Sequence, residues 1–77
     1  MRYYIYQIQF TNYEGKDSTV SSPNSCDPLL FNDNLIETKA VVFEQAKAIN
    51  NGEEVTNYIE SVTDIPQVEY IELADPE

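Results

Sequence analysis

Seventy-seven residues make a single domain, 1–77, and a chain this short buries only about 60% of the surface its unfolded form exposes, so its core is thin. Fourteen acids against four bases give a net charge of −10. That charge repels nucleic acid and anionic lipid, both of which are held through clustered Lys and Arg, and it steers the chain towards basic surfaces. A lone cysteine, Cys26, and no histidine exclude an intrachain disulfide and a zinc cage, so the expected stability comes from apolar burial without metal or cofactor.

Met1-Arg2-Tyr3-Tyr4 lacks the apolar stretch of a secretion signal, and no run approaches the ~20 apolar residues of a membrane span. With a free thiol, which fits a reducing compartment, this predicts a cytoplasmic protein.

Residues 3–11, rich in aromatic and β-branched types without Gly or Pro, predict a strand with Tyr4, Tyr6, Ile8 and Phe10 alternating onto one face. Asn12-Tyr13-Glu14-Gly15 supplies turn chemistry, and residues 16–21 are expected to return as a shorter second strand. Residues 21–34, with Ser, Pro, Asn and Asp, read as an irregular loop docked to the core by Leu29-Leu30-Phe31. Asn34 and Glu37 have capping-box form, and an apolar stripe through Leu35, Ile36, Val42, Phe43, Ala46 and Ile49 predicts a helix over 35–50. Lys39 interrupts that stripe, so a strand over 35–41 followed by a helix from Val42 stays open. Asn51-Gly52-Glu53-Glu54 looks like a second N-cap, and Val55, Tyr58, Ile59 and Val62 at helical spacing predict a helix over 52–62. Ile65-Pro66 would stop it. Residues 67–73 then read as a closing strand and 74–77 as a tail. The expected class is α+β: an N-terminal strand or hairpin, two helices and a C-terminal strand.

Chemistry finds little purchase. General acid–base work near neutral pH usually falls to histidine, and there is none. Cys26 stands beside Asp27, which disfavours its thiolate, and Ser18, Ser21, Ser22 and Ser25 have no partner base. Among fourteen acids some pair must lie at a glycosidase-like distance by chance. Lys16 follows Gly15 without a phosphate-loop pattern. Asp27, Asn32, Asp33 and Asn34 lack the spacing and central Gly of a calcium loop. No catalysis is expected.

Acid geometry remains. On the predicted second helix Glu53, Glu60 and Asp64 fall within about 40° of one another, in a row roughly 16 Å long. Glu69 and Glu72 on the closing strand, then Asp75 and Glu77, extend the acidic half, since every base lies at or before Lys47. Tyrosine is the second unusual feature, with six in the chain and Tyr3, Tyr4 and Tyr6 crowded on the first strand; such rings serve interfaces well.

In composition alone, being short, acidic and tyrosine-rich, the chain resembles phage-encoded inhibitors of host defence such as anti-CRISPR proteins and acidic DNA mimics. The resemblance implies occupation of a basic, nucleic-acid-binding surface on a target protein, in the host cytoplasm, with Glu53, Glu60, Asp64, Glu69, Glu72 and Asp75 as contacts. The alternative expectation is a homo-oligomeric module, such as a homodimer, whose Tyr3- and Tyr6-bearing strand forms the subunit contact.

Overall fold

The computed structural model describes residues 1–74. It is α+β. Strand β1 (Arg2–Thr11) is followed by β2 (Asp17–Cys26), a single 3-10 turn (Pro28–Leu30), helix α1 (Phe31–Ile49), β3 (Tyr58–Asp64) and helix α2 (Gln67–Ala74). The three strands form one antiparallel sheet in the order β2-β1-β3.

The tight turn between β1 and β2 forms where its chemistry predicts. Asn12 Oδ1 accepts from the backbone N–H of Glu14 (2.8 Å) and of Lys16 (3.0 Å), and Gly15 takes φ 79°, a conformation that disfavours a Cβ. The return strand runs to Cys26, longer than the predicted 16–21. Pro23 is tolerated because β2 is an edge strand. It stands opposite Ile5, where its missing N–H would have faced outward.

Alternation along β1 sends Tyr4, Tyr6, Ile8 and Phe10 into the core, where α1 covers them with Val42 and Ala46. Each fully buried large side chain contributes roughly 1.5–3 kcal/mol, so this strand carries most of the apolar stabilisation. Both buried phenols are hydrogen-bonded. The Tyr4 hydroxyl donates to Asn34 Oδ1 and lies 2.9 Å from Thr38 Oγ1; the Tyr6 hydroxyl donates to Glu60 Oε2 (3.3 Å). Thr38 Oγ1 also accepts from Asn24 Nδ2 (2.7 Å) and donates to the Asn34 carbonyl (2.9 Å). One polar cluster thereby ties β1, β2 and α1 together.

Three local expectations are corrected, and the alternative left open for residues 35–41 is decided in favour of the helix. Helix α1 starts at Phe31, ahead of Asn34, because Asp27 caps the preceding turn by accepting from Leu29 N (2.9 Å) and Pro28 sits at its first position. Residues 35–41 are helical, and Lys39 is accommodated at the margin of the stripe, where its ammonium reaches Glu60 (3.4 Å) and the Tyr6 ring. Asn51-Gly52 ends α1 and starts no helix: Asn51 (φ 59°) and Gly52 (φ 78°) are both left-handed, and Gly52 N–H closes onto the Lys47 carbonyl at 2.9 Å. Residues 58–64 are therefore strand, and the predicted helix over 52–62 is replaced by a loop and β3. Conversely, the closing strand expected at 67–73 is α2. Pro66 opens it, the Pro66 carbonyl accepts from Tyr70 N–H (3.1 Å), and Glu69 lies in the first turn.

Candidate interaction surface

Helix α1 lies over β1 and β2, and α2 packs against the opposite face of the same two strands. There Tyr70 stacks on Tyr3 with ring centroids 5.1 Å apart, and Ser25 reaches the Tyr70 hydroxyl. The molecule is only 17 Å through its thinnest axis, and its depressions are open and shallow; one of about 520 Å³ lies at the end of the sheet, between Phe10, Ser18 and Tyr58. Among the described residues no three His, Cys, Asp or Glu side chains assemble as a cation site, and no helix is long and apolar enough to cross a membrane.

The acidic row expected from Glu53, Glu60 and Asp64 is dispersed. Glu53 is exposed in the loop after α1. Glu60 points from β3 towards α1, between Lys39 and the Tyr6 hydroxyl. Asp64 holds Arg2 in a two-pronged contact, 2.9 and 3.4 Å, while the same guanidinium stacks 3.7 Å over the Phe31 ring. Two of the six predicted contact acids are thus matched by bases within the chain. Glu69 and Glu72 lie exposed on α2, and Asp75 lies outside the described residues.

The tyrosines are also occupied internally. Tyr6 is fully buried, and its hydroxyl pKa is pushed up to about 12, first by burial and then by the adjacent Glu60 charge. The Tyr4 hydroxyl is raised as well, chiefly by burial. Tyr3 is half-covered by Tyr70. Since β1 is the middle strand, it offers no free edge for a strand of a second subunit to pair with.

A different acidic surface emerges. On α1, Asp33, Glu37 and Glu44 fall within about 40° of one another on the solvent side. Their span is roughly 16 Å at 1.5 Å per residue, and Lys47 closes the row. At its N-terminal end Asp27, Asp33 and Glu37 line a shallow depression of about 320 Å³ together with Cys26 and Leu30. Leu30, 57% exposed, is part of this lining, and Leu29, 92% exposed, precedes it in the same turn. The expected docking of Leu29-Leu30-Phe31 onto the core holds for Phe31 alone, which packs edge-on against Tyr4. The 3-10 turn explains the difference: it aims its two leucines outward while starting the helix that carries Phe31 inward. Sequence reading missed this patch because Asp27 and Asp33 fell within a supposed loop. Extending the helix back to Asp27-Pro28 would have revealed the spacing of Asp33, Glu37 and Glu44. No protein-family model, curated protein sequence or solved structure matches the chain.

Proposed function

We propose that this chain is a non-catalytic, acidic binding protein that occupies a basic, nucleic-acid-binding surface of a target protein and keeps nucleic acid from it, in the cytoplasm. This is the mode of phage-encoded anti-defence proteins and DNA mimics. The observation that carries the reading is the patch at the start of α1, where Asp27, Asp33 and Glu37 ring a depression and Glu44 continues the row, beside the outward-facing Leu29 and Leu30. A row of carboxylates presents charge to a cationic groove as a phosphate strand does. Exposed leucines beside it give the apolar anchor that a protein partner needs and a nucleic acid does not. A net charge of −10 supplies long-range attraction to a basic target.

The test compares two triple variants of equal charge. One neutralises Asp33, Glu37 and Glu44 to Asn or Gln; the other neutralises Glu14, Asp17 and Glu72 on other faces. Each immobilised protein is used to capture partners from a host lysate, and the captured partner is challenged with competing double-stranded DNA. With each exposed charge worth up to ~1 kcal/mol, the α1 variant is expected to bind ten- to a hundredfold more weakly and the control variant nearly as well as wild type. Leu29→Ser should shorten the residence time. Equal losses in both triple variants, or a partner indifferent to DNA, would overturn the reading.

A further inference from the structure

The two edges of the sheet are treated differently. On β2 the edge is blunted: Pro23 has no N–H to offer, the Ser25 N–H is taken by its neighbour's Asn24 Oδ1 at 3.0 Å, and Asp17 adds charge. These are the usual means of keeping an edge from pairing. On β3, Tyr-Ile-Glu-Ser-Val-Thr-Asp, no proline or side-chain cap blocks the edge, and its charges, Glu60 and Asp64, are each paired with a base. The strand has no glycine or lysine, its types favour strand, and all seven residues are exposed.

The outward-facing groups of β3 can be assigned. Ile65 N–H donates to the Tyr3 carbonyl at 3.0 Å, so in the antiparallel ladder Tyr3/Ile65, Ile5/Thr63, Gln7/Ser61 and Gln9/Ile59 are the hydrogen-bonded pairs. The N–H and C=O groups of Tyr58, Glu60, Val62 and Asp64 then point away from β1, along the free edge. Beyond them Pro66 ends the run of donors.

Charge is locally matched here. Glu60 and Asp64 are the acids of β3, and each is paired with a base of its own chain, Lys39 and Arg2. In a chain of net charge −10, β3 is a segment whose acids are already compensated.

We infer that β3 pairs antiparallel with β3 of a second copy, about a two-fold axis at Ser61, to give a continuous six-stranded sheet. The register follows from like-charge avoidance. Centring on Ser61 sets Glu60 opposite Val62, Asp64 opposite Tyr58 and Ile59 opposite Thr63. Centring on Glu60 sets it against its own copy, and centring on Val62 sets Glu60 against Asp64; like charges directly opposite are destabilising. The Ser61 register also places all four outward-facing residues in hydrogen-bonded pairs, for about eight backbone hydrogen bonds. It covers Ile59, which is 71% exposed in the single chain. The acidic patch on α1 is untouched, so this association stands independently of the function proposed above.

Ser61 would meet its copy in a non-hydrogen-bonded pair, with Cα atoms about 4.5 Å apart, a separation that a disulfide can span. Under mild oxidation, Ser61→Cys is expected to cross-link into a covalent dimer with unchanged circular dichroism. Ile59→Cys, which faces Thr63 in this register, should not, and the buried Cys26 of wild type serves as background. Sedimentation equilibrium of wild type from about 10 to 500 μM should show a reversible dimer. Val62→Pro removes only an outward N–H and is expected to leave a folded monomer. Wild type that stays monomeric through that range, with no Ser61→Cys dimer above background, overturns the proposal and leaves the edge to a strand of another protein. Preferential cross-linking of Ile59→Cys overturns it too, by breaking the register.

Discussion

Thr38→Val tests whether the polar cluster under α1 holds the fold together. Thr38 is 2% exposed, and Val matches its shape and helix propensity, so neither a cavity nor backbone preference confuses the outcome. What disappears is one oxygen with three partners: Asn24 Nδ2 at 2.7 Å, the Tyr4 hydroxyl at 2.9 Å and the Asn34 carbonyl at 2.9 Å. A typical net hydrogen bond is worth about 1 kcal/mol, and a buried group left without a partner costs about 1–3 kcal/mol. Tyr4 keeps Asn34 Oδ1 and the half-buried Asn24 amide regains some water, so the expected loss is about 2–3 kcal/mol. For a domain of this size that lowers Tm by roughly 10–20 °C. Thermal and urea unfolding followed by circular dichroism measure it. Adding Tyr4→Phe should cost less than the sum of the two single changes, with a coupling of about 1 kcal/mol. A Thr38→Val loss below ~0.5 kcal/mol, or strict additivity with Tyr4→Phe, would refute the reasoning and reduce the cluster to passive filling.

Two further outcomes follow from local geometry. The Tyr6 hydroxyl titrates at about 12 in the fold against 10.0 in the unfolded chain, so its neutral form is the one the fold favours. Its contribution is complete below pH 10 and is lost as pH rises from 10 towards 12, by up to about 3 kcal/mol at ~1.4 kcal/mol per pH unit. Urea unfolding between pH 9 and pH 11 should show wild type losing stability faster than Tyr6→Phe, and parallel slopes would count against it. Gly52→Ala should cost about 1–2 kcal/mol through its φ of 78° alone, since nothing lies within 4 Å of the added Cβ; an unchanged urea midpoint would show that the chain reverses differently after α1.

What could be read in advance was whatever one chain segment determines by itself. The first strand was legible because Tyr4, Tyr6, Ile8 and Phe10 alternate within an unbroken β-favouring run, and the turn because Asn12 and Gly15 have few other uses. The helix over 35–50 was legible from its stripe; its true start was not, because the Asp27-Pro28 signal was hidden in polar surroundings. The last third was misassigned because Val55, Tyr58, Ile59 and Val62 satisfy a helical period while Tyr58, Glu60, Val62 and Asp64 satisfy a strand period. Pairing decided it. The open side of β1 takes Tyr58–Asp64 as a neighbour, and Lys39 and Arg2 match that strand's acids, contacts that span twenty to sixty residues and leave no local trace. Asn51-Gly52 and Pro66 each serve as either a stop or a start, and the fold uses both in the sense opposite to the local expectation. The candidate contact acids suffered in consequence, since a row on a helix is not a row on a strand.

Salt separates the two associations inferred for this molecule, because it acts on them with opposite sign. Docking of a chain with net charge −10 on a basic surface is attractive at long range. Raising ionic strength from about 0.01 M to about 0.15 M shortens the screening length from ~30 Å to ~8 Å, which slows association and weakens the complex. Pairing of two copies through β3 joins two bodies of like charge whose interface acids are already matched, and the field opposing it comes from the rest of each chain. The same change in salt removes that repulsion while leaving backbone hydrogen bonds and the covering of Ile59 in place. The target Kd should therefore rise, and the dimer Kd fall, each by about tenfold or more across the range. Sedimentation of the protein alone and surface binding to the captured partner, run in the same buffers, give the two curves. A dimer that weakens as salt is added would mean that charge holds it together, which the Arg2–Asp64 and Lys39–Glu60 pairs within each chain leave no acid on β3 free to do.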